Sequence, residues 1–201
     1  MQLKRLIPGV LVIALIGLVG VTAVTLRDAP AMTEAQLSEA SCLNDPCIRF
    51  PTVSGDNLLG EPQTYPRDFG GDYVLAVVPF DRDQQILAQS WLPHIEDLAG
   101  QYPDLTYYNI PVFPELESTY RVFARAGMIF LIEDEFLRSI TTTVFLQNRD
   151  AFVQALDIPD VEDVEVLLMN HDGEVLWRER GEYDASKGAA LAEVLATLNA
   201  R

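Results

Sequence analysis

Hydrophobic positions are densest near the N-terminus, where residues 6–26 carry no charged side chain. About 20 apolar residues in a helix cross the roughly 30 Å hydrocarbon core of a bilayer, whereas a signal-peptide core has only about 7–15. The pattern favours a single-pass anchor over a cleaved signal peptide, for which Ala29-Pro30-Ala31 would be the cleavage region. Lys4 and Arg5 precede the run, and positive residues stay in the cytoplasm. We therefore expect an inner-membrane protein whose C-terminal domain faces the periplasm, or a periplasmic or secreted protein if the segment is cleaved.

Beyond the apolar run, the pattern divides into a short tether and one domain. Residues 1–5 form the cytoplasmic end, and residues 27–49 are polar and Ala-rich and contain a cysteine loop. Residues 50–201 hold the remaining periodic segments, without an internal repeat or a second domain. The prediction is therefore one globular domain on a membrane tether.

The domain opens with a strand–helix–strand pattern. Residues 73–80 are a continuous apolar, β-branched run, typical of a strand buried on both faces. Helical spacing follows over residues 83–102 and ends at Pro103, and residues 105–110 form a second strand. This connection predicts parallel strands with a right-handed crossover.

The second half of the domain begins with an insertion. Residues 115–140 have a helical period and no proline, and several charged residues interrupt them. We expect a helical insertion packed on the sheet, not a second membrane segment. A third strand follows at 141–146, and Asn148 is placed to cap a short helix.

The C-terminal part predicts a hairpin and a closing helix. Residues 164–169 and 174–178 flank a turn that ends in Gly173, which predicts antiparallel pairing. Residues 186–198 are amphipathic and predict the last helix. The fold class is therefore α/β.

Several short phrases, in this order, resemble the thioredoxin-like superfamily and, more closely, the mitochondrial ATP synthase assembly-factor family. They are Phe50-Pro51, NLLG at 57–60, VVPF at 77–80, Ser90-Trp91, Asn109-Ile110, FVQALDI at 152–158, and the hairpin at 166–178 followed by Gly181. The resemblance spans about residues 50–199 and departs at Trp177-Arg178, where the family has the order Arg-Trp. It implies a thioredoxin-like sandwich, β-α-β followed by β-α-β-β-α with a helical insertion. It also implies a redox-inactive domain that binds a protein partner, as in the assembly of a membrane complex.

Charge and composition exclude several classes of function. The chain has 30 acidic and 14 basic residues, a net charge of −16. The first 27 residues contain three positive and no negative charges, so the rest carries −19. Such a chain does not suit nucleic-acid binding, which depends on Lys and Arg. With two His, two Cys and no phosphate-binding or metal motif, we expect no metal and no cofactor.

The two cysteines, Cys42 and Cys47, flank a turn-forming Asn-Asp-Pro segment. In an oxidising compartment an even number of closely spaced cysteines favours a structural disulfide. Two alternatives stay open: a redox-active pair, as in a thiol-disulfide oxidoreductase, or a copper-handling pair that binds Cu(I) through thiolates.

Thiol chemistry on the implied fold needs a cysteine at the start of the first helix, after the first long strand. Residues 80–85 occupy that place and contain no sulfur, and Asp81 and Asp83 are interpreted as helix caps. The superfamily's oxidoreductases also have a cis-proline before the hairpin strand, where this chain has residues 161–163, without proline. We therefore expect no catalytic residue and a partner-binding surface where the substrate groove would lie. Its predicted residues are Phe80, Asp81, Arg82, Asp83, Asp160, Glu162 and Asp163.

Overall fold

The computed structural model describes residues 47–200, so the predicted anchor, most of the tether and Cys42 lie outside it. The strands are β1 (Val53–Asn57), β2 (Pro62–Tyr65), β3 (Tyr73–Val78), β4 (Leu105–Asn109), β5 (Val112–Pro114), β6 (Thr142–Leu146), β7 (Glu165–Asn170) and β8 (Val175–Arg180). The helices are α1 (Gln84–Ser90), α2 (Leu92–Gln101), α3 (Ser118–Leu131), α4 (Glu135–Ile140), α5 (Arg149–Ala155) and α6 (Ala185–Asn199). The alternation confirms the predicted α/β class.

The main sheet has the strand order β4-β3-β7-β8. β3 pairs in parallel with β4 and antiparallel with β7, and β7 forms the predicted antiparallel hairpin with β8. Gly173 in the hairpin turn has φ +81, a conformation that favours glycine. Because β3 lies between two strands and both its faces are covered, Val74 to Val78 are fully buried.

Each face of the main sheet has its own core. On one face, alternate β3 residues such as Val74 and Ala76 pack with Phe152 of α5 and Tyr65 of β2. On the other face, Leu75 and Val77 pack against Trp91, which lies between α1 and α2, and against residues of the helices α1, α2 and α6, among them Ala88, Ile95, Leu191 and Leu195. Helices α2 and α6 therefore lie on the opposite side of the sheet from β1, β2 and α5.

A second sheet, with the order β2-β1-β6-β5, was not expected from the sequence. Pro62–Tyr65 pairs with β1, although the sequence pattern predicts no strand before residue 73. Only Tyr65 of this strand is buried, so the strand shows no hydrophobic alternation. The predicted third strand, β6, belongs to this second sheet, where it pairs with β1 and β5.

The helix predicted over residues 83–102 is divided at Trp91 into α1 and α2. Pro93 lies in the first turn of α2, where a missing N–H costs least. The indole Nε1 of Trp91 donates to the carbonyl of Gly181, 2.9 Å away, and the side chain is fully buried. The division thus turns Trp91 into the core between α1, α2 and the end of β8.

The insertion is helical, as predicted, but the expectation that its apolar side packs on the sheet is wrong for α3. Tyr120, Phe123 and Phe130 are 63%, 69% and 81% exposed, whereas Met128 is buried. No helix within residues 47–200 combines the length and the apolar character needed to span a bilayer.

Candidate functional site

The predicted surface is formed by two loops at one end of the main sheet. Residues 81–83 connect β3 to α1, and residues 160–163 precede β7. We call these residues together the acidic surface, because they contain five carboxylates and one arginine, Arg82.

The side chain of Gln84 joins the two loops. Its Oε1 accepts a hydrogen bond from the N–H of Phe80 at 2.8 Å, and its Nε2 donates to the carbonyl of Val161, also at 2.8 Å. Gln84 is only 3% exposed. A buried amide therefore holds residues 81–83 next to 160–163, so the structure brings the two predicted segments together.

Phe80 itself must be removed from the predicted contacts. It is 2% exposed and belongs to the core cluster below the loop, so its ring faces the interior and cannot meet a partner. The run of apolar residues that makes β3 a buried strand continues through this position. Its carbonyl accepts a hydrogen bond from Arg149 Nη1 at 3.3 Å.

The other predicted contacts face solvent or are half-buried. Asp81, Arg82, Asp83, Asp160 and Glu162 are exposed, and Asp163 is half-buried. Of the two predicted helix caps, Asp81 is confirmed, because its Oδ1 accepts a hydrogen bond from the N–H of Gln84 at 2.9 Å. Asp83 makes no capping hydrogen bond with its side chain.

Gln85 and Asn109 form a polar pair beside the acidic surface, and neither residue is marked as a site by the sequence pattern. Asn109 Nδ2 donates to Gln85 Oε1 at 3.2 Å, and the residues are 7% and 8% exposed, respectively. Within residues 47–200, Gln85 Nε2 and Asn109 Oδ1 have no hydrogen-bond partner. The pair thus contains one buried donor and one buried acceptor without a hydrogen-bond partner.

Glu165 is a second missed residue. It is the first residue of β7, opposite Val78 in the register, and it is fully buried. Burial raises the pKa of its carboxyl from 4.5 to about 7, although Arg180 opposes the shift. Arg180 Nε lies 2.7 Å from Glu165 Oε1, and its Nη2 donates to Asp160 Oδ1 at 2.5 Å. The guanidinium thus connects the interior to the acidic surface, and it holds the pKa of Asp160 below its ordinary value.

One signal could have identified Glu165 from the sequence. It is an acidic residue inside the apolar segment VEVLLM, and a charged residue at such a position is rarely buried without a partner. Its partner could not be identified from the sequence, because Arg180 is fifteen positions away and lies opposite Glu165 on the other strand of the hairpin.

Neither histidine lies at this surface as a reactive group. His94 contacts Tyr183, with ring centroids 5.1 Å apart, and its Nε2 lies 3.2 Å from the carbonyl of Gly188. His171 lies in the hairpin turn, where its Nδ1 is 3.1 Å from the carbonyl of Gly71. Both positions are explained by packing and turn contacts.

Cys47 is disulfide-bonded and lies at the other end of the main sheet. The neighbouring Ile48 carbonyl accepts from the N–H of Val175 at 2.9 Å, and the N–H of Phe50 donates to Gly173 at 2.7 Å. These contacts fix the segment beside the hairpin turn, whereas the acidic surface adjoins the opposite end of β7, about 17 Å away for six strand residues. The pairing of Cys47 with Cys42 stays a prediction, because Cys42 lies outside the described residues.

Comparisons with known proteins support the fold. No protein-family model and no curated protein sequence matches the chain. Among solved structures, BsSco, a member of the Sco family of cytochrome c oxidase assembly proteins, matches with a TM-score of 0.50 at 14% identity, covering 79% of this chain and 96% of that one. A candidate electron transfer protein from Aquifex aeolicus VF5 has a TM-score of 0.50 at 10% identity, covering 74% and 94%.

A thiol-disulfide oxidoreductase from Bacteroides fragilis NCTC 9343 is also similar, with a TM-score of 0.48 at 15% identity, covering 73% of this chain and 98% of that one. The main sheet has one antiparallel hairpin beside a parallel pair and helices on both faces, and the two matches with a TM-score of 0.50 cover 79% and 74% of this chain. The chain therefore has a thioredoxin-like fold.

Proposed function

We propose that the chain is a membrane-anchored, non-catalytic thioredoxin-like protein that faces the periplasm and binds a protein partner through the acidic surface. The observation that carries the proposal is the Gln84 bridge between Phe80 and Val161. An amide side chain joins the two loops at the place where thiol enzymes of this fold need a reactive cysteine. The loops are thereby held as a defined surface without any sulfur.

The buried pair beside this surface supports a role in binding. A buried polar group without a partner costs about 1–3 kcal/mol. Gln85 Nε2 and Asn109 Oδ1 are such groups within residues 47–200. Both atoms are closed to solvent, so the C=O and N–H of a partner's main chain reach them only if the neighbouring loop, residues 81–83, moves on binding.

The charge of the surface indicates the chemistry of the partner. Residues 81–83 and 160–163 together carry a net charge of −4. A basic partner surface complements them, and such complementarity raises association rates and selects against acidic competitors. We further propose that the partner is a subunit of a membrane complex under assembly, following the resemblance to the ATP synthase assembly factors.

The alternative function is thiol-disulfide exchange or copper handling by Cys42 and Cys47. The disulfide at Cys47 favours it, since a dithiol that forms a disulfide can in principle exchange it. Its location speaks against it, because the segment adjoins the hairpin turn and not the acidic surface. We therefore treat this disulfide as a structural link at the start of the domain.

Paired charge reversal tests the proposed function. The variant Asp83→Lys/Glu162→Lys changes two exposed acids of the acidic surface whose side chains make no hydrogen bond or ion pair in the described structure. With the tagged full chain purified from membranes in mild detergent, we expect recovery of the bound partner to fall about tenfold, equal to ~1.4 kcal/mol of binding free energy.

The control is Asp97→Lys/Glu193→Lys, which makes the same change of net charge on exposed residues of α2 and α6. Equal loss of partner in both variants would show a general charge effect and contradict the proposed surface. Loss of partner in Cys42→Ser/Cys47→Ser alone would instead favour the alternative function.

A further inference from the structure

Helix α3 exposes an apolar side, although the rest of the domain is strongly acidic. Tyr120, Phe123, Gly127, Phe130 and Leu131 follow the spacing i, i+3, i+7, i+10 and i+11, which places them on one side of a helix. We call these five residues the aromatic face. Its large side chains are 56–81% exposed. Contiguous apolar exposure of this kind marks a surface that contacts a protein or a membrane.

The polar side of α3 is turned toward the domain. Arg121 forms an ion pair with Glu115, its Nε donates to the carbonyl of Leu116 at 2.8 Å, and its guanidinium carbon lies 5.4 Å from the centroid of the Phe145 ring. Arg125 Nη1 lies 3.9 Å from Asp56 Oδ2. These contacts fix the rotation of the helix, so the aromatic face cannot turn inward without breaking them.

The charge distribution identifies the class of surface that fits. The aromatic face has no charged residue, and α3 contains two arginines and no acid, although the chain after residue 27 carries −19. Two copies of such an acidic domain repel each other, which disfavours a dimer through this face. Exposed aromatic rings on a side of the helix that carries no charge suit the boundary between lipid headgroups and acyl chains, and Arg121 and Arg125, which are paired within the domain, take no part in this contact.

The chain outside the structure determines how far the domain can lie from a bilayer. If residues 6–26 are the anchor of the proposed function, the 20 residues 27–46 connect it to Cys47. A chain of 20 residues spans at most about 70 Å when it is fully extended. The domain is thus confined to within about 70 Å of the lipid, so even weak affinity for the bilayer is sufficient for docking.

We propose that the aromatic face docks on the bilayer surface, with its rings inserted at the headgroup boundary. The proposal rests on the anchor of the proposed function. Docking through α3 would fix the orientation of the domain that the tether alone leaves free. The acidic surface would then be presented to its partner from a domain with a defined orientation on the membrane.

Quenching by brominated lipids tests the docking. The full-length Phe130→Trp variant is reconstituted into zwitterionic phosphatidylcholine vesicles with and without bromine on the acyl chains. The native Trp91 is buried and Trp177 is half-buried, so the wild type supplies the background. We expect the added fluorescence to fall about twofold or more in brominated vesicles, as for a residue at the acyl boundary.

The matched control is Thr197→Trp, at an exposed position of α6 across the main sheet from α5 and β1. Its fluorescence should not change. Unquenched Phe130→Trp in vesicles that retain the protein would overturn the docking proposal and leave the anchor intact. If sedimentation in detergent then shows a dimer, the face is a contact between two copies, which also overturns it.

Alkaline extraction separates the docking proposal from the anchor. Quenching of Phe130→Trp in a chain that alkali removes from the vesicles would support docking and contradict the anchor. A chain that does not float with the vesicles at all would overturn both.

Discussion

Arg180 Nε lies 2.7 Å from Oε1 of Glu165, so a fully buried carboxylate at the start of β7 has its counter-charge on the neighbouring strand. The pair has poor hydrogen-bond geometry, and within residues 47–200 neither oxygen of Glu165 accepts a hydrogen bond. Breaking a buried pair on one side is costly, whereas removing its charge need not be. Because burial raises the pKa of Glu165, the folded domain disfavours the charged carboxylate, and its stability depends on pH.

The first prediction concerns Glu165→Gln. The folded-state pKa of Glu165 is about 7, above the ordinary 4.5, so the folded protein binds this proton more tightly than the unfolded chain. The contribution of Glu165 to stability is greatest below pH 4.5, falls as pH rises to about 7, and is constant above it. The shift corresponds to about 3 kcal/mol.

Glu165→Gln lacks this titration, so its free energy of unfolding relative to the wild type should rise by up to about 3 kcal/mol between pH 4.5 and 7.5. Urea unfolding of the full chain in mild detergent at several pH values, followed by the fluorescence of buried Trp91, measures the difference. A difference that is independent of pH would contradict the pKa of Glu165.

The second prediction concerns the bridge between the two loops. Gln84→Leu removes two hydrogen bonds and leaves the N–H of Phe80 and the carbonyl of Val161 without partners, so we expect a loss of about 2–4 kcal/mol in unfolding free energy. Gln89→Leu makes the same chemical change at an exposed position of α1 and should stay within about 0.5 kcal/mol. Equal effects in urea unfolding would mean that Gln84 does not join the loops.

The third prediction uses the unused donor and acceptor of Gln85 and Asn109. Asn109→Leu alone removes Gln85's partner and should cost about 1–3 kcal/mol, whereas Gln85→Leu/Asn109→Leu removes the polar pair and should cost less than the sum of the single changes. The double variant should fold but recover less partner from membranes. A double variant that retains full partner recovery would exclude these two side chains from binding.

The fourth prediction compares two helical glycines. A Cβ on Gly188 would lie 2.7 Å from Cε2 of Tyr183 and 3.0 Å from Nε2 of His94, whereas one on Gly127 would meet no atom within 4 Å. We expect Gly188→Ala to destabilise the domain by about 1–3 kcal/mol through overpacking. Gly127→Ala should stabilise it by about 0.5–1 kcal/mol through helix propensity. Thermal unfolding of both variants checks this, and a stabilised Gly188→Ala would show that the Tyr183 ring is displaced easily.

The elements of the main sheet were predictable because their signals are local. The apolar run of β3, the turn at Gly173 and the cap at Asn148, whose Oδ1 accepts from Ala151 N at 3.1 Å, all depend on residues close in sequence. β2 could not be predicted, because it lies at an edge and buries one residue. Which side of α3 faces the domain could not be predicted either, because both sides contain apolar residues. The contacts of Arg121 and Arg125 determine this orientation.

The sequence predicted that the two loops of the acidic surface lie together, but it did not reveal the residues buried beneath them. Topology alone brings residues 81–83 close to 160–163, because β3 and β7 are neighbours in the sheet. Phe80 was wrongly predicted as a contact because the sequence does not show whether a phenylalanine is buried in the core or exposed to a partner. Gln84, Gln85, Asn109 and Glu165 were missed, since their partners are distant in sequence and polar residues are usually exposed.

The central claim is that the acidic surface binds a protein without thiol chemistry. Its most direct test is a photo-crosslinking amino acid placed at Asp83 of the full chain in native membranes, with the same substitution at exposed Thr197 as the control. We predict one crosslinked partner from position 83 and none from 197, unchanged in a Cys42→Ser/Cys47→Ser background. A crosslink that appears only with both cysteines present, or none at position 83, would contradict the claim.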